Sequence, residues 1–204
     1  MVVAYLITGA VVVGTLGWLL IDFKRTMRKA GREDAALHAL PRTPVRDLAE
    51  GTRARIVGIA IGHDDYAAAP FSGTPCLAFH GDRSATIVDA NETTTTTVHG
   101  PASQDVRPFR VEDDTGSIEI AVEHATLSLF QRPVSPETAA SRVFDSKLLA
   151  RDAVSTSYHE SLLLPDDRVA VIGTVARGPD GKLHVAGTPD APLVISNLPA
   201  ALAP

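Results

Sequence analysis

Any reaction run by this chain would have to be built from seven histidines, 24 acidic residues, the hydroxyl side chains and a single cysteine, Cys76. A nucleophilic thiol needs an exposed, electropositive setting. Cys76 instead opens the apolar run Cys-Leu-Ala-Phe with no base beside it in sequence, which predicts a buried strand cysteine. His63-Asp64-Asp65 and His80-Gly-Asp82 bring metal-ligand types together, but their spacings match no established metal motif. Ser157-Tyr-His159-Glu160 contains the residue types of a hydrolytic triad, yet sequence neighbours rarely converge on one substrate, and no Gly-x-Ser-x-Gly elbow occurs. Asp113-Asp114-Thr115-Gly116 resembles half of an acidic cation loop, and a hairpin turn explains it with fewer assumptions. The chain has neither a Gly-x-Gly-x-x-Gly fingerprint nor a phosphate loop. The expectation is no catalytic residue, no metal and no cofactor.

The elements that would position these side chains fall into two parts. Residues 1–21 (MVVAYLITGAVVVGTLGWLLI) carry no charge, enough helix to cross about 30 Å of hydrocarbon. Tyr5 and Trp18 lie near its ends, where amphipathic rings favour the headgroup boundary. No base precedes the run and no small-residue cleavage site ends it, so residues 1–22 are expected to be an uncleaved anchor helix. Five bases follow directly: Lys24, Arg25, Arg28, Lys29 and Arg32. Positive-inside sorting then predicts a single-pass cell-membrane protein with its N-terminus outside and its body in the cytoplasm. Residues 23–42 form a charged juxtamembrane segment that ends at Pro41 and Pro44.

Beyond residue 32 the chain holds 14 bases and 23 acids, a balance of −9. Such a body repels a phosphate backbone, so no nucleic-acid partner is expected. From residue 43 onward, short apolar runs alternate with Gly, Pro and Asp-Gly. Strands are predicted over residues 53–61 (RARIVGIAI) and 168–176 (RVAVIGTVA), each with a glycine, Gly58 and Gly173, where a strand can bend. Others are expected at 76–79, 86–88, 93–98, 183–186 and 193–195. A hairpin joins residues 109–111 to 117–122 through the turn at 112–116. Ser135-Pro136-Glu137 predicts a helix start, with the helix running towards Ala150. The sum is a mainly β protein: a transmembrane helix, then a small OB-like barrel at 43–198 with one or two short helices, then a tail at 199–204.

Three stretches carry a family resemblance. Ala69-Pro70-Phe-Ser72-Gly73-Thr-Pro-Cys76 is similar to a Ser-Pro-x-Ser-Gly-x-x-Cys motif. Pro108-Phe109-Arg-Val-Glu-Asp113-Asp114-Thr-Gly116 is similar to a Pro-Phe hairpin motif closed by Asp and Gly. Glu160, Leu164-Pro-Asp-Asp167 and the run through Gly173 are similar to a third, in which Asp166 stands where glycine is common. Together they resemble the GIDE, or BAM ("beside a membrane"), domain of mitochondrial membrane-anchored ubiquitin ligases and shorter prokaryotic relatives, over roughly residues 41–196. The resemblance implies structural roles for these twelve positions. Ligases of the family carry a RING finger, whose zincs need about eight Cys and His ligands. One cysteine in 204 residues does not supply that set, so ligase activity is not expected here.

The leading expectation is therefore a membrane-anchored, non-enzymatic interaction module, bound to the bilayer through residues 1–22 and to another membrane or cytoplasmic protein. The alternatives are a tethered OB-type binder of an oligomeric ligand and a metal-dependent hydrolase built on the His and Asp loops.

Overall fold

In the computed structural model the described residues are 40–88, 95–99, 102–140 and 153–203. The strands in chain order are β1 (Arg53–Gly62), β2 (Ala67–Ala68), β3 (Pro75–Cys76), β4 (Ala78–Val88), β5 (Thr95–His99), β6 (Ser103–Val106) and β7 (Phe109–Asp113). They continue as β8 (Gly116–Ile120), β9 (Ala125–Ser128), β10 (Gln131–Val134), β11 (Ala153–Leu163), β12 (Arg168–Arg177), β13 (Leu183–Ala186) and β14 (Leu193–Ser196). Two short helices, α1 (Pro136–Ala140) and α2 (Pro199–Leu202), complete the regular elements among the described residues, with a single 3-10 turn at Val45–Asp47. All of this belongs to one compact unit, Pro41–Pro204.

Five strands close on themselves. β1 pairs with β7, β7 with β8, β8 with β13, β13 with β12, and β12 returns to β1. Only the β8–β13 seam is parallel. Closure removes sheet edges and leaves an interior just large enough for side chains. Ile56, Phe109, Val111, Val169, Val171 and Val185 fill it, each fully buried. Burial of each such side chain contributes about 1.5–3 kcal/mol, so this cluster dominates the fold.

The two predicted glycine bends sit on neighbouring strands, with Ala54 opposite Gly173 and Gly58 opposite Val169. At both positions another strand approaches too closely for a side chain. A Cβ on Gly173 would lie 2.6 Å from Val185 Cγ1 and 2.9 Å from the Ala186 carbonyl oxygen. One on Gly58 would lie 2.8 Å from Val111 Cγ1 and against the Glu112 backbone.

Two long insertions between barrel strands, residues 63–108 and 121–167, build a second sheet in the order β10-β11-β4-β5, with β6 also on β4. Here the structure departs from the sequence reading. The expected strand at 76–79 breaks at Leu77, whose N–H donates to the Leu163 carbonyl at 2.8 Å. It resumes as β4 and runs to Val88, so His80 and Asp82 stand in a strand rather than a loop. β11, eleven residues long, was not anticipated, because Ser, Thr and His occupy the positions where an apolar alternation would signal a strand.

The α1 start is as predicted: Ser135 Oγ accepts the Thr138 N–H at 3.2 Å. Its continuation falls outside the described residues. Residues 199–203, read as a tail, carry α2, whose Ala201 is buried against Val57 and Ala170. Buried Arg55 donates to the Ala201 carbonyl at 2.9 Å and also to that of Ala203. Among the described residues no helix is long and apolar enough to cross a membrane; the anchor expected at 1–22 lies outside them.

Candidate functional site

The residues of the first and third motifs meet at one place on the second sheet. Along β11 successive side chains alternate between faces, so Tyr158 and Glu160 share one face while Ser157 and His159 take the other. Glu160 is thereby separated from the other two triad types, Ser157 and His159. On the Tyr158 face lies the loop carrying Pro70 to Gly73. Glu160, 1% exposed, accepts the Phe71 N–H at 2.6 Å and the Ser72 N–H at 2.9 Å through one carboxylate oxygen. The Phe71 ring meets Tyr158 edge-on at 5.1 Å between centroids.

Why the loop can come so close is set by register. Gly81 of β4 stands directly opposite Glu160. A Cβ on Gly81 would lie 2.7 Å from Pro70 Cγ and 3.3 Å from Phe71 Cε2. Absence of that side chain lets the loop lie on the sheet and bring its N–H groups to the carboxylate. Within the loop, Gly73 takes φ +70°, a left-handed conformation suited to glycine, and donates to the Ala69 carbonyl at 2.9 Å. Ser72 Oγ holds Thr74 Oγ1 at 2.8 Å.

Cys76 closes this cluster from below, fully buried, with Sγ 3.6 Å from the Ala67 carbonyl oxygen. Burial, together with the negative charges of Glu160 and Asp105, pushes its thiol up to about 11. At neutral pH it is a protonated packing group.

The second motif builds a different joint. Phe109 fills the barrel, and Pro108 precedes it at the surface. The side chain of Asp113 is wholly covered. It accepts Thr115 N–H at 2.8 Å and Thr115 Oγ1–H at 2.6 Å on one oxygen, and Val45 N–H at 3.1 Å on the other. Thr115 Oγ1 in turn accepts the Arg46 N–H at 3.1 Å. Burial alone would raise the Asp113 carboxyl, but the hydrogen bonds from Thr115 and Val45 and the Arg42 guanidinium 3.8 Å away hold it below its ordinary value. Asp114 is an exposed turn residue, and Gly116 begins β8. The turn therefore does more than reverse the chain. It ties residues 42–46 to the barrel.

The third motif ends at the mouth of β12. Asp167 accepts the Leu164 N–H at 2.9 Å, and the Ala60 N–H donates to its carbonyl at 2.9 Å. Asp166 has φ +67°, a left-handed backbone that glycine, Asn and Asp tolerate best. That accounts for the aspartate standing where glycine is common.

Register puts His80, Asp82 and His159 on one face of the inserted sheet. His63 Nε2 lies 3.0 Å from Glu119 on β8, while Asp65 binds Arg107 at 3.3 Å. His159 Nδ1 lies 3.5 Å from Asp82, its cross-strand neighbour, which also accepts from Gln131 at 3.0 Å. Among the described residues no group of three His, Cys, Asp or Glu side chains is arranged to hold a metal. Tyr158 and Gly81 are the site residues the sequence reading missed. No local signal marked Gly81, because its neighbours His80 and Asp82 have the composition of a loop.

The sequence model of the family described as "GIDE: E3 Ubiquitin ligase" matches residues 84–201, more than half of the chain. The chain belongs to the GIDE family. The match begins within β4, so the first motif, the Pro70–Gly73 loop, lies ahead of the matched stretch of the GIDE domain. The loop is nonetheless joined to that stretch through Glu160. No curated protein and no solved structure matches the chain.

Proposed function

We propose that this GIDE domain is a membrane-tethered, non-enzymatic binding module held on the cytoplasmic side by an anchor at residues 1–22. The observation that carries the reading is the state of the motif carboxylates. Asp113 and Glu160 each accept backbone N–H groups from a segment distant in sequence, and Asp167 accepts that of Leu164 within its own turn, so these motif residues hold backbone in place. Carboxylates held this way have no free geometry for acid–base work on a substrate. The charge-free run at 1–21 and the five bases after it support the anchor and its orientation. Confinement to one membrane raises the effective concentration of a partner there, so a weak binding face suffices. The ligase description of the family is not carried over, since these 204 residues hold one cysteine.

Two measurements on the full chain test this. A reporter fused after Pro204 is expected to be active only in its cytoplasmic form; activity of an export-dependent phosphatase overturns the orientation. His63→Ala and His159→Ala are expected to preserve cellular activity and partner capture. Complete loss from either, with folding and insertion intact, would reveal an active site.

A further inference from the structure

We propose that His80, Asp82 and His159 bind one divalent transition-metal ion of the zinc class, on the face of the inserted sheet opposite the Pro70–Gly73 loop. The inference is independent of the binding-module reading, since a cation there leaves the clamp on Glu160 untouched.

Strand register brings together three residues that are far apart in sequence. His80 and Asp82 flank Gly81 on β4 and share one face, about 7 Å apart along the strand. His159 of β11 stands directly opposite Asp82. Two imidazoles and a carboxylate make a ligand set that holds first-row metals with coordination positions left open.

Two of the donors stand at the spacing an ion requires. His159 Nδ1 lies 3.5 Å from Asp82 Oδ1, longer than an ordinary hydrogen bond. Two donors about 2.1 Å from one ion, at a tetrahedral angle, are about 3.4 Å apart. Asp82 Oδ2 accepts from Gln131 Nε2 at 3.0 Å, an outer contact of the kind that orients a ligating carboxylate. The third donor has to turn in, because among the described residues no three such side chains converge as they stand. Nothing opposes that turn: the half-buried His80 ring has no hydrogen bond or ion pair among the described residues. A change of χ1 rotamer brings it to the ion without breaking either.

Charge on this face favours a cation. The bases of β4 and β10, Arg83 and Arg132, stand in register with Tyr158 and Glu160 and so fall on the other face. β6 and β11 carry no base. Gln104 and Ser161 flank His80 in register and can hydrogen-bond water on the ion. Two imidazoles select zinc over magnesium or calcium, which prefer oxygen donors.

The test uses the untagged full chain in detergent micelles, stripped with a chelator and titrated calorimetrically with zinc chloride or magnesium chloride. One zinc per chain is expected, with magnesium bound at least tenfold more weakly. His80→Ala, Asp82→Asn and His159→Ala are each expected to weaken zinc binding at least tenfold. Gln131→Ala is expected to weaken it about tenfold by removing the outer contact. His63→Ala and His184→Ala are expected to leave it unchanged. Should a ligand variant fail to fold, imidazole nitrogen shifts on adding zinc to the native chain decide the matter. His80 and His159 are expected to shift while His63 and His184 do not. Absence of zinc binding overturns the proposal, as does full affinity in any one of the three ligand variants. Equal loss in His63→Ala would mean adventitious surface binding and would overturn it as well.

Discussion

The barrel and the inserted sheet are held together by different physics. The barrel is closed by strand pairing all round and filled by fully buried aliphatic and aromatic side chains. Among the described residues the inserted sheet has its own buried cluster of Ala67, Ala69, Cys76, Phe79 and Leu162, three of them small. What fixes its loop is one buried carboxylate, Glu160, on two backbone N–H groups. Aliphatic packing is spread over many contacts and tolerates the loss of one. A buried carboxylate concentrates its effect, because removing it leaves its donors unsatisfied. The family-motif residues lie mainly at the joints where loops meet sheets, and Phe109 and Gly173 belong to the barrel itself.

The sharpest way to break the barrel side is Gly173→Val. The new side chain meets Val185 and the Ala186 backbone, and overpacking of this kind costs about 3 kcal/mol. Calorimetry is expected to show a fall in Tm of roughly 6–12 °C in one cooperative transition. Loss of the inserted sheet alone would contradict the placement of that glycine.

On the other side of the comparison, Cys76→Ser puts a hydroxyl into the small cluster at a cost of about 1–2 kcal/mol. The thiol itself is raised from 9.0 to about 11 in the folded state. Its contribution to stability is therefore complete below pH 9.0 and is lost as the pH rises towards about 11. A thiol reagent is expected to modify Cys76 at the rate of unfolding at neutral pH. Rapid modification of the folded protein would show that the cluster is open.

Asp113→Asn tests the joint between the 42–46 segment and the barrel, at an expected cost of about 1 kcal/mol at neutral pH. The folded carboxyl is depressed below 3.8, so its contribution is present above that pH and is lost as the pH falls through the depressed value. The acid limb of the stability profile is expected to flatten in the variant, read by denaturant titration at a series of pH values. An unchanged limb contradicts the role. The smallest effects belong to His63→Ala and His159→Ala, whose exposed or half-buried contacts with Glu119 and Asp82 contribute within about 0.5 kcal/mol.

The barrel was readable from sequence where apolar residues crowd a strand. β1 and β12, fully apolar at their centres with one glycine each, were placed with ends within one residue, as were β13 and β14. The β7–β8 hairpin was marked by Asp and Gly at its turn. The inserted sheet was harder because Ser155 and Ser157 of β11 are exposed, and Ser155, Thr156, Ser157 and His159 mask the alternation. β4 was hidden in a similar way, since His80-Gly-Asp82 has the composition of a loop. The motif positions were visible as residues, but the partner of Glu160 was not. The bond joins residues 89 positions apart and depends on Gly81 standing opposite, a matter of register that no local pattern encodes.

Amide hydrogen exchange at Phe71 and Ser72, compared between the native chain and Glu160→Ala, tests most directly whether the family carboxylate is a structural clamp on the inserted sheet. Removing the acceptor costs the clamp about 2 kcal/mol, so the two amides are expected to exchange roughly 30-fold faster. Val171 and Ile172 in the barrel are expected to keep their protection. Unchanged exchange at Phe71 and Ser72, or equal loss at all four residues, would contradict the account.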